Sequence, residues 1–275
     1  IIGNEGCERF SFYGMRNILT VFLTTSLLAY LPEGDRGPAA KDVFHTFVIG
    51  VYFFPLLGGW LADRVLGKYH TIYWLSIVYC AGHACLAIFE NSRPGFYTGL
   101  FLIALGSGGI KPCVSAFVGD QFDQTNKHLA KVVFDAFYWI INFGSFFASL
   151  LMPIFLRNYG PSVAFGIPGA LMAIATLILW IGRKRYVLVP PAAPDANSFL
   201  RVAWTALASG RPGMILANVG VAVAVGSFVL IPTFGFVVSF CIALVSLIAF
   251  GGAGVWWQLE GARGSGPGAD RPGAP

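Results

Sequence analysis

The chain has 275 residues, of which 56% are hydrophobic and only 11% charged, against roughly 25% charged residues in an ordinary soluble domain. With a mean hydropathy of +0.69, this composition predicts an integral membrane protein and excludes an ordinary soluble enzyme. The net charge of +5 does not imply nucleic acid, because surplus Lys and Arg in short loops is what orients a chain in a bilayer.

The chain opens at Ile1, without an initiator Met and already inside a helical pattern, so it reads as a fragment. Its first apolar run is too long for a cleavable signal, and no small-residue cleavage pattern follows it. Cys7, Cys80, Cys85, Cys113 and Cys241 all lie within or at the ends of apolar runs and form no CxxC pair. Neither a disulfide framework nor a zinc site is indicated.

A spanning helix needs about 20 mostly apolar residues, which predicts six spans at 7–31, 43–62, 71–89, 96–117, 132–156 and 162–181. The first is introduced by Glu5-Gly6-Cys7-Glu8-Arg9. At helical pitch Glu5, Glu8 and Arg9 project together, with Phe12, Tyr13 and Arg16 continuing that side. Ionised groups on a spanning helix persist by facing a protein interior or a water-filled cavity, so this face is the candidate working site. His45 opens the second span, either as a proton-accepting group at the outer mouth of a cavity or as a satisfied interfacial residue. Tyr52 in the second span and Tyr138 and Asn142 in the fifth need hydrogen-bond partners away from water, which neighbouring helices could supply.

The turn after the second span holds Asp63, Arg64, Gly67 and Lys68, preceded by Gly58-Gly59. It is either a gate or packing device or a solvated loop. Lys111 lies deep in the fourth span between Gly106-Ser107-Gly108-Gly109-Ile110 and Pro112. Its ammonium needs an anion, from Glu5, Glu8 or a ligand carboxylate, unless it snorkels to an interface. Basic residues concentrate at 63–68, 120–131 and 182–185, which predicts that this end and the N-terminus are cytoplasmic.

The expected division is a six-helix bundle over 1–185, a linker over 186–213, a two-helix hairpin over 214–257 and a disordered or truncated linker over 258–275. Pro190-Pro191-Ala192-Ala193-Pro194-Asp195 reads as extended chain, and Phe199 to Ala208 as a short interfacial helix carrying Arg201 and Trp204. The hairpin runs, 214–231 and 234–257, contain no ionisable residue and read as structural.

Five motifs in order carry a resemblance: Glu5-x-x-Glu8-Arg9-Phe10; Gly59-x-x-Ala62-Asp63 with Gly67-Lys68 and Thr71-Ile72; Gly108-Gly109-Ile110-Lys111-Pro112; Gly119-Asp120-Gln121-Phe122; and Phe137-Tyr138-x-x-Ile141-Asn142-x-Gly144-Ser145. With them the chain resembles the proton-dependent oligopeptide transporter family of the major facilitator superfamily. The resemblance implies an all-α integral membrane fold, comprising the N-terminal six-helix bundle of the family's two bundles and an extra two-helix hairpin, with the C-terminal bundle missing. It assigns proton coupling to Glu5, Glu8 and His45. Peptide binding falls to Arg9, Tyr13, Tyr52, Lys111 and Asn142; gating at Asp63, Arg64 and Lys68 is the expectation from the turn itself. Phe12 departs from the pattern, standing where many relatives have tyrosine.

The implied activity is proton-coupled symport of di- and tripeptides across the cytoplasmic membrane, with peptides, protons, lipid and the missing bundle as partners and no cofactor. Transport of another anion, such as nitrate or an amino-acid conjugate, is the alternative. A metal-dependent membrane enzyme built on Glu5, Glu8 and His45 lacks the usual ligand spacing.

Overall fold

In the computed structural model, residues 1–192, 204, 207–208 and 211–265 are described. The proposed interfacial helix at 199–208 therefore falls largely outside the described residues, as does the tail from 266. Among the described residues every regular element is helical. The chain divides into two compact units, Ile1–Ala193 and Pro194–Pro275, each described by itself.

Helix α1 (Ile2–Phe22) continues through a widened π turn, Leu23–Leu27. There the hydroxyls of Thr24 and Thr25 donate back to the carbonyls of Thr20 and Val21. Helix α2 (Glu33–Arg64) starts after Pro32, with Glu33 and Asp35 in its first turn, where carboxylates complement the helix dipole. It begins ten residues before the apolar run at 43. His45 is therefore an interior residue of a long helix, not its opening residue. Helix α3 (Lys68–Ile88) follows a tight turn at Gly67, whose φ of 79° suits glycine. Helix α4 (Arg93–Gly119) carries Pro112 in its interior.

Ala130–Ile181 is helical throughout but broken at Gly160, where φ is 82°. We label its two parts α5 (130–159) and α6 (161–181). The contacts fix the relative directions. Gly6 meets Ile140 and Gly14 meets Met152, so α1 and α5 run parallel; Ser162, Gly169 and Thr176 meet Ala87, His83 and Cys80, so α6 runs antiparallel to α3.

Small residues set how closely the helices cross. A Cβ built on Gly58 of α2 would lie 2.0 Å from the carbonyl oxygen of Gly109 on α4, a backbone-on-backbone contact that any side chain would destroy. At one end of the unit Phe22, Phe96 and Phe165 bring α1, α4 and α6 together with ring centroids 4.9 to 5.4 Å apart. At the other, Tyr69, Phe117 and Tyr186 do the same for α3, α4 and the segment after α6.

Five continuous helical stretches among the described residues are long and apolar enough to cross a membrane, of which 127–184 and 211–258 are long enough for two spans each. Helix α1 is not among them because Glu5, Glu8, Arg9 and Arg16 fall within its 21 residues.

In the second unit, α7 (Arg211–Ser227) packs on α8 (Ile231–Ser265). Gly220 lies against Phe250, and the Ser227 hydroxyl donates to the carbonyl of Ser239 at 3.0 Å. Helix α8 has its own break at Gly235, φ 78°. It runs on to Ser265, past residue 258 where a disordered or truncated linker was expected.

Candidate functional site

The turn from Glu5 to Phe10 is pressed against α5. A Cβ on Gly144 would lie 2.9 Å from the carbonyl oxygen of Gly6, and one on Gly6 would meet Ile140 at 2.6 Å. On the opposite side Ser11 donates to the carbonyl of Pro168 on α6 at 2.7 Å. Helix α1 is thus enclosed at the level of its charges, and Glu5, Glu8 and Arg9 are 3%, 0% and 9% exposed.

Enclosed charges need partners, and these three supply one another. Arg9 Nε lies 2.7 Å from Glu5 Oε1 and 2.7 Å from Glu8 Oε2. The second Glu8 oxygen accepts a hydrogen bond from the Ser107 hydroxyl of α4 at 3.2 Å. Two carboxylates against one guanidinium leave the triad formally one negative charge in excess.

Lys111 occupies the next position out and behaves differently. Among the described residues no carboxylate stands within 4.0 Å of its ammonium. Of the anions the sequence offered, Glu5 and Glu8 both stand beyond ion-pair distance, which leaves a ligand carboxylate as the remaining alternative. Instead Nζ lies over the ring of Phe12 at 4.2 Å and of Tyr52 at 5.3 Å. Phe12 is itself fixed by Tyr13, edge-on at 5.5 Å, and by Phe47, stacked at 6.3 Å. Glu5 is engaged by Arg9 and Glu8 by Arg9 and Ser107, while the half-buried ammonium rests on aromatic faces.

Tyr13 borders this arrangement, and Tyr52 is 70% exposed on the outside of the unit with its ring toward Lys111. Asn142 and Tyr138 are also exposed, joined by a bond from Asn142 Nδ2 to the Tyr138 carbonyl at 2.8 Å. Among the described residues neither side chain hydrogen-bonds to the Glu5, Glu8, Arg9 cluster. His45 is not brought to the acids; its ring is exposed and contacts Phe44, over which Arg16 lies at 5.6 Å.

At the basic end Lys68 donates to both oxygens of Asp120 at 2.7 Å. Asp63 and Arg64 are exposed on the adjoining turn, and the Asp63 carbonyl accepts from the Ala192 amide at 2.8 Å. Gln121 joins the same end through Val187. Just beyond, Asp123 accepts from the Thr125 hydroxyl and amide and from the Asn126 amide. The Thr125 hydroxyl and amide hold its carboxyl below the usual range. Ser107, Asp120 and Gln121 were not among the expected site residues, although all three lie within or beside the motifs quoted above; Phe12 was expected on the working face of α1, but not as the partner of Lys111. Among the described residues no group of three or more His, Cys, Asp and Glu side chains could hold a metal.

A buried Glu, Glu, Arg triad on the first helix, with a second cation on a proline-containing fourth helix, is the arrangement the motifs led us to expect. The sequence profile described as POT family matches residues 69–213, more than half of the chain. The chain belongs to the POT family. It is similar to "Peptide transporter family 1" of Drosophila melanogaster, with 44% identity over 207 residues that cover 70% of this chain and 27% of the relative. It is also similar to "Solute carrier family 15 member 2" of Danio rerio, with 40% identity over 216 residues covering 74% and 29%. Among solved structures, the crystal structure of the POT family transporter PepTSo matches with a TM-score of 0.89 and 62% identity over 97% of this chain and 54% of that one.

Family membership makes this a multi-pass membrane protein with a major facilitator fold, of which the chain carries one six-helix bundle and the added hairpin. It spans about half the length of the solved transporter and under a third of the curated relatives.

Proposed function

We propose that the chain forms part of a proton-coupled symporter of di- and tripeptides, residing in the cytoplasmic membrane with the N-terminus and the basic end inside. The observation that carries this reading is the double occupation of Arg9 by Glu5 and Glu8 in a buried site, while Lys111 rests on Phe12 without a carboxylate. The POT family is a transporter family, and relatives named as peptide transporters support the substrate class. The basic loops support the orientation.

The two cations divide the work. Lys111 is the standing attraction for a carboxylate, such as a peptide C-terminus. Arg9 is masked by the acids. Protonating one acid removes one competitor for the guanidinium, which then turns a bidentate donor face to the incoming carboxylate. Proton and substrate thereby raise each other's affinity, as linkage requires. Inward-directed voltage on the proton adds about 2.3 kcal/mol per 100 mV. Tyr13, Tyr52 and Asn142 offer hydrogen bonds to peptide termini and backbone, and Asp63, Arg64 and Lys68 form the gate turn. No bond-making chemistry is required of any of these groups, which sets the proposal apart from an enzyme.

The test is Glu8→Gln in the protein expressed from its complete reading frame. Loss of proton-driven accumulation of labelled dipeptide with retained counterflow is expected, and normal accumulation would refute the scheme. Competition by nitrate and amino-acid conjugates against labelled dipeptide separates this reading from transport of another anion.

A further inference from the structure

Ser107 sits on α4 between two glycines that let neighbouring helices close on it. A Cβ on Gly106 would lie 2.7 Å from the Cβ of Tyr79 on α3, and one on Gly108 would lie 2.8 Å from the carbonyl oxygen of Val51 on α2. Between these two contacts the Ser107 hydroxyl faces α1, where it donates to Glu8 Oε1 at 3.2 Å. The other oxygen, Glu8 Oε2, lies 2.7 Å from Arg9 Nε. The two oxygens of one buried carboxylate are therefore held by different groups, one by a fixed cation and the other by a hydroxyl that can turn.

Behind Ser107 stands a second hydroxyl. Tyr79 is fully buried, and its phenol neighbours Ser107 within electrostatic reach of Glu8 and Arg9. Its ring is fixed by His83, stacked on it at 5.0 Å, and His83 is backed in turn by Gly169 of α6. Among the described residues the Tyr79 hydroxyl completes no hydrogen bond of good geometry. An idle phenol in a membrane interior costs free energy, which is offset if another charge state of the site uses it. The charged and titratable groups around Glu8 and Arg9 are Glu5 and Tyr13 on α1, Lys111 on α4 and Tyr79 on α3. Helix α2 reaches the site through Tyr52 at Lys111, α5 presents Ile140 and Gly144, and α6 presents the Pro168 carbonyl.

We propose that Ser107 and Tyr79 are positioning residues for the coupling proton, a hydroxyl switch that seats it on the Glu8 oxygen turned away from Arg9. While Glu8 is a carboxylate, Ser107 donates to Oε1. When a proton binds Oε1, the new O–H donates to Ser107 Oγ, and the Ser107 hydrogen turns to the Tyr79 oxygen. One proton is gained, and no bond between heavy atoms forms or breaks. Oε2 becomes the carbonyl oxygen of a neutral acid, so Arg9 loses one of its two counter-charges without any movement of α1. The inference rests on the reading that protonating an acid frees Arg9, and it adds where on the acid that proton is held.

The test uses Ser107→Ala and Tyr79→Phe in protein from the complete reading frame, each removing one oxygen and little volume. The readout is the pH midpoint of labelled-dipeptide binding in proteoliposomes, which tightens as the acid takes its proton. Ser107→Ala removes a bond that is stronger to the carboxylate than to the neutral acid. The midpoint is therefore expected to rise by roughly half to one pH unit. Tyr79→Phe removes an acceptor that serves only the protonated state, so the midpoint is expected to fall by roughly half a unit. An unmoved midpoint in either variant, or shifts of the same sign in both, would overturn the switch. If Glu8→Gln loses accumulation as expected while the hydroxyl variants keep the unaltered midpoint, the symport reading stands and the switch alone falls. Normal accumulation in Glu8→Gln would remove both.

Discussion

Lys111 Nζ stands 4.2 Å from the centroid of the Phe12 ring, three positions along α1 from Arg9, whose guanidinium is held by two carboxylates. Neighbouring cations in one membrane-embedded site are therefore stabilised by different means. Ion pairing makes Arg9 directly dependent on the charge of its acids, whereas Lys111 takes its nearest stabilisation from a ring quadrupole.

Phe12→Leu keeps an apolar side chain of similar bulk but removes the ring face. Dipeptide affinity should fall by about 0.5 to 2 kcal/mol, read by equilibrium binding. Phe12→Tyr, which retains the face, should stay close to the unaltered value. Equal losses in both variants would argue against the ring as the partner of Lys111.

Gly58 and Gly59 are adjacent but not equivalent. A methyl group at Gly58 would collide with the backbone of Gly109, whereas one at Gly59 meets nothing within 4 Å. Gly58→Ala should destabilise the protein by about 1 to 3 kcal/mol, seen as a lower melting temperature in detergent. Gly59→Ala should leave it unchanged, and the reverse order would contradict the observed helix crossing.

The Lys68 and Asp120 side chains are 22% and 17% exposed, and their contact engages both carboxylate oxygens. Discounted for that partial exposure, a double-mutant cycle with Lys68→Ala and Asp120→Ala should give a coupling of about 1 kcal/mol. The coupling should shrink at high salt. A coupling that grows with salt would rule out an ionic origin.

Asp123 sets the pH behaviour of the turn before α5. Its carboxyl titrates below the ordinary 3.8 because Thr125 and Asn126 hydrogen-bond its charged form. A depressed folded value means that the turn gains stability above the ordinary carboxylate range and loses it as pH falls through the depressed value. A carbon-13 titration of the Asp123 carboxyl should show this depression, and Thr125→Val should raise the midpoint. An unchanged midpoint would deny the hydroxyl its role.

Much of this molecule could be read from its residues. Runs bounded by Pro, Gly and charge gave six spans and a hairpin, because the cost of unsatisfied backbone in lipid leaves helices as the form available to such runs. The triad at Glu5, Glu8 and Arg9 followed from helical spacing alone. What escaped was the partner of Lys111, because spacing within one helix says nothing about how far α4 stands from α1, and a buried ammonium accepts either a carboxylate or an aromatic ring. His45 opens the apolar run but not the helix, which starts ten residues earlier, because hydropathy marks where the apolar run begins, not where hydrogen bonding begins. Pro190 to Asp195 read as extended chain in the sequence, but the attachment of Val187 just before it depends on a glutamine 66 positions away.

The extra length of α2 has a practical consequence. Its 32 residues make a rod of about 48 Å, while the hydrocarbon layer is about 30 Å thick. With the apolar run from 43 filling that layer, the turns carrying Glu33, Asp35, Arg36, Lys41 and Asp42 stand clear of the lipid as a rigid post. A single cysteine introduced at Asp35 would offer a membrane-impermeant maleimide a well-defined target, labelled from one face of a sealed vesicle and silent from the other.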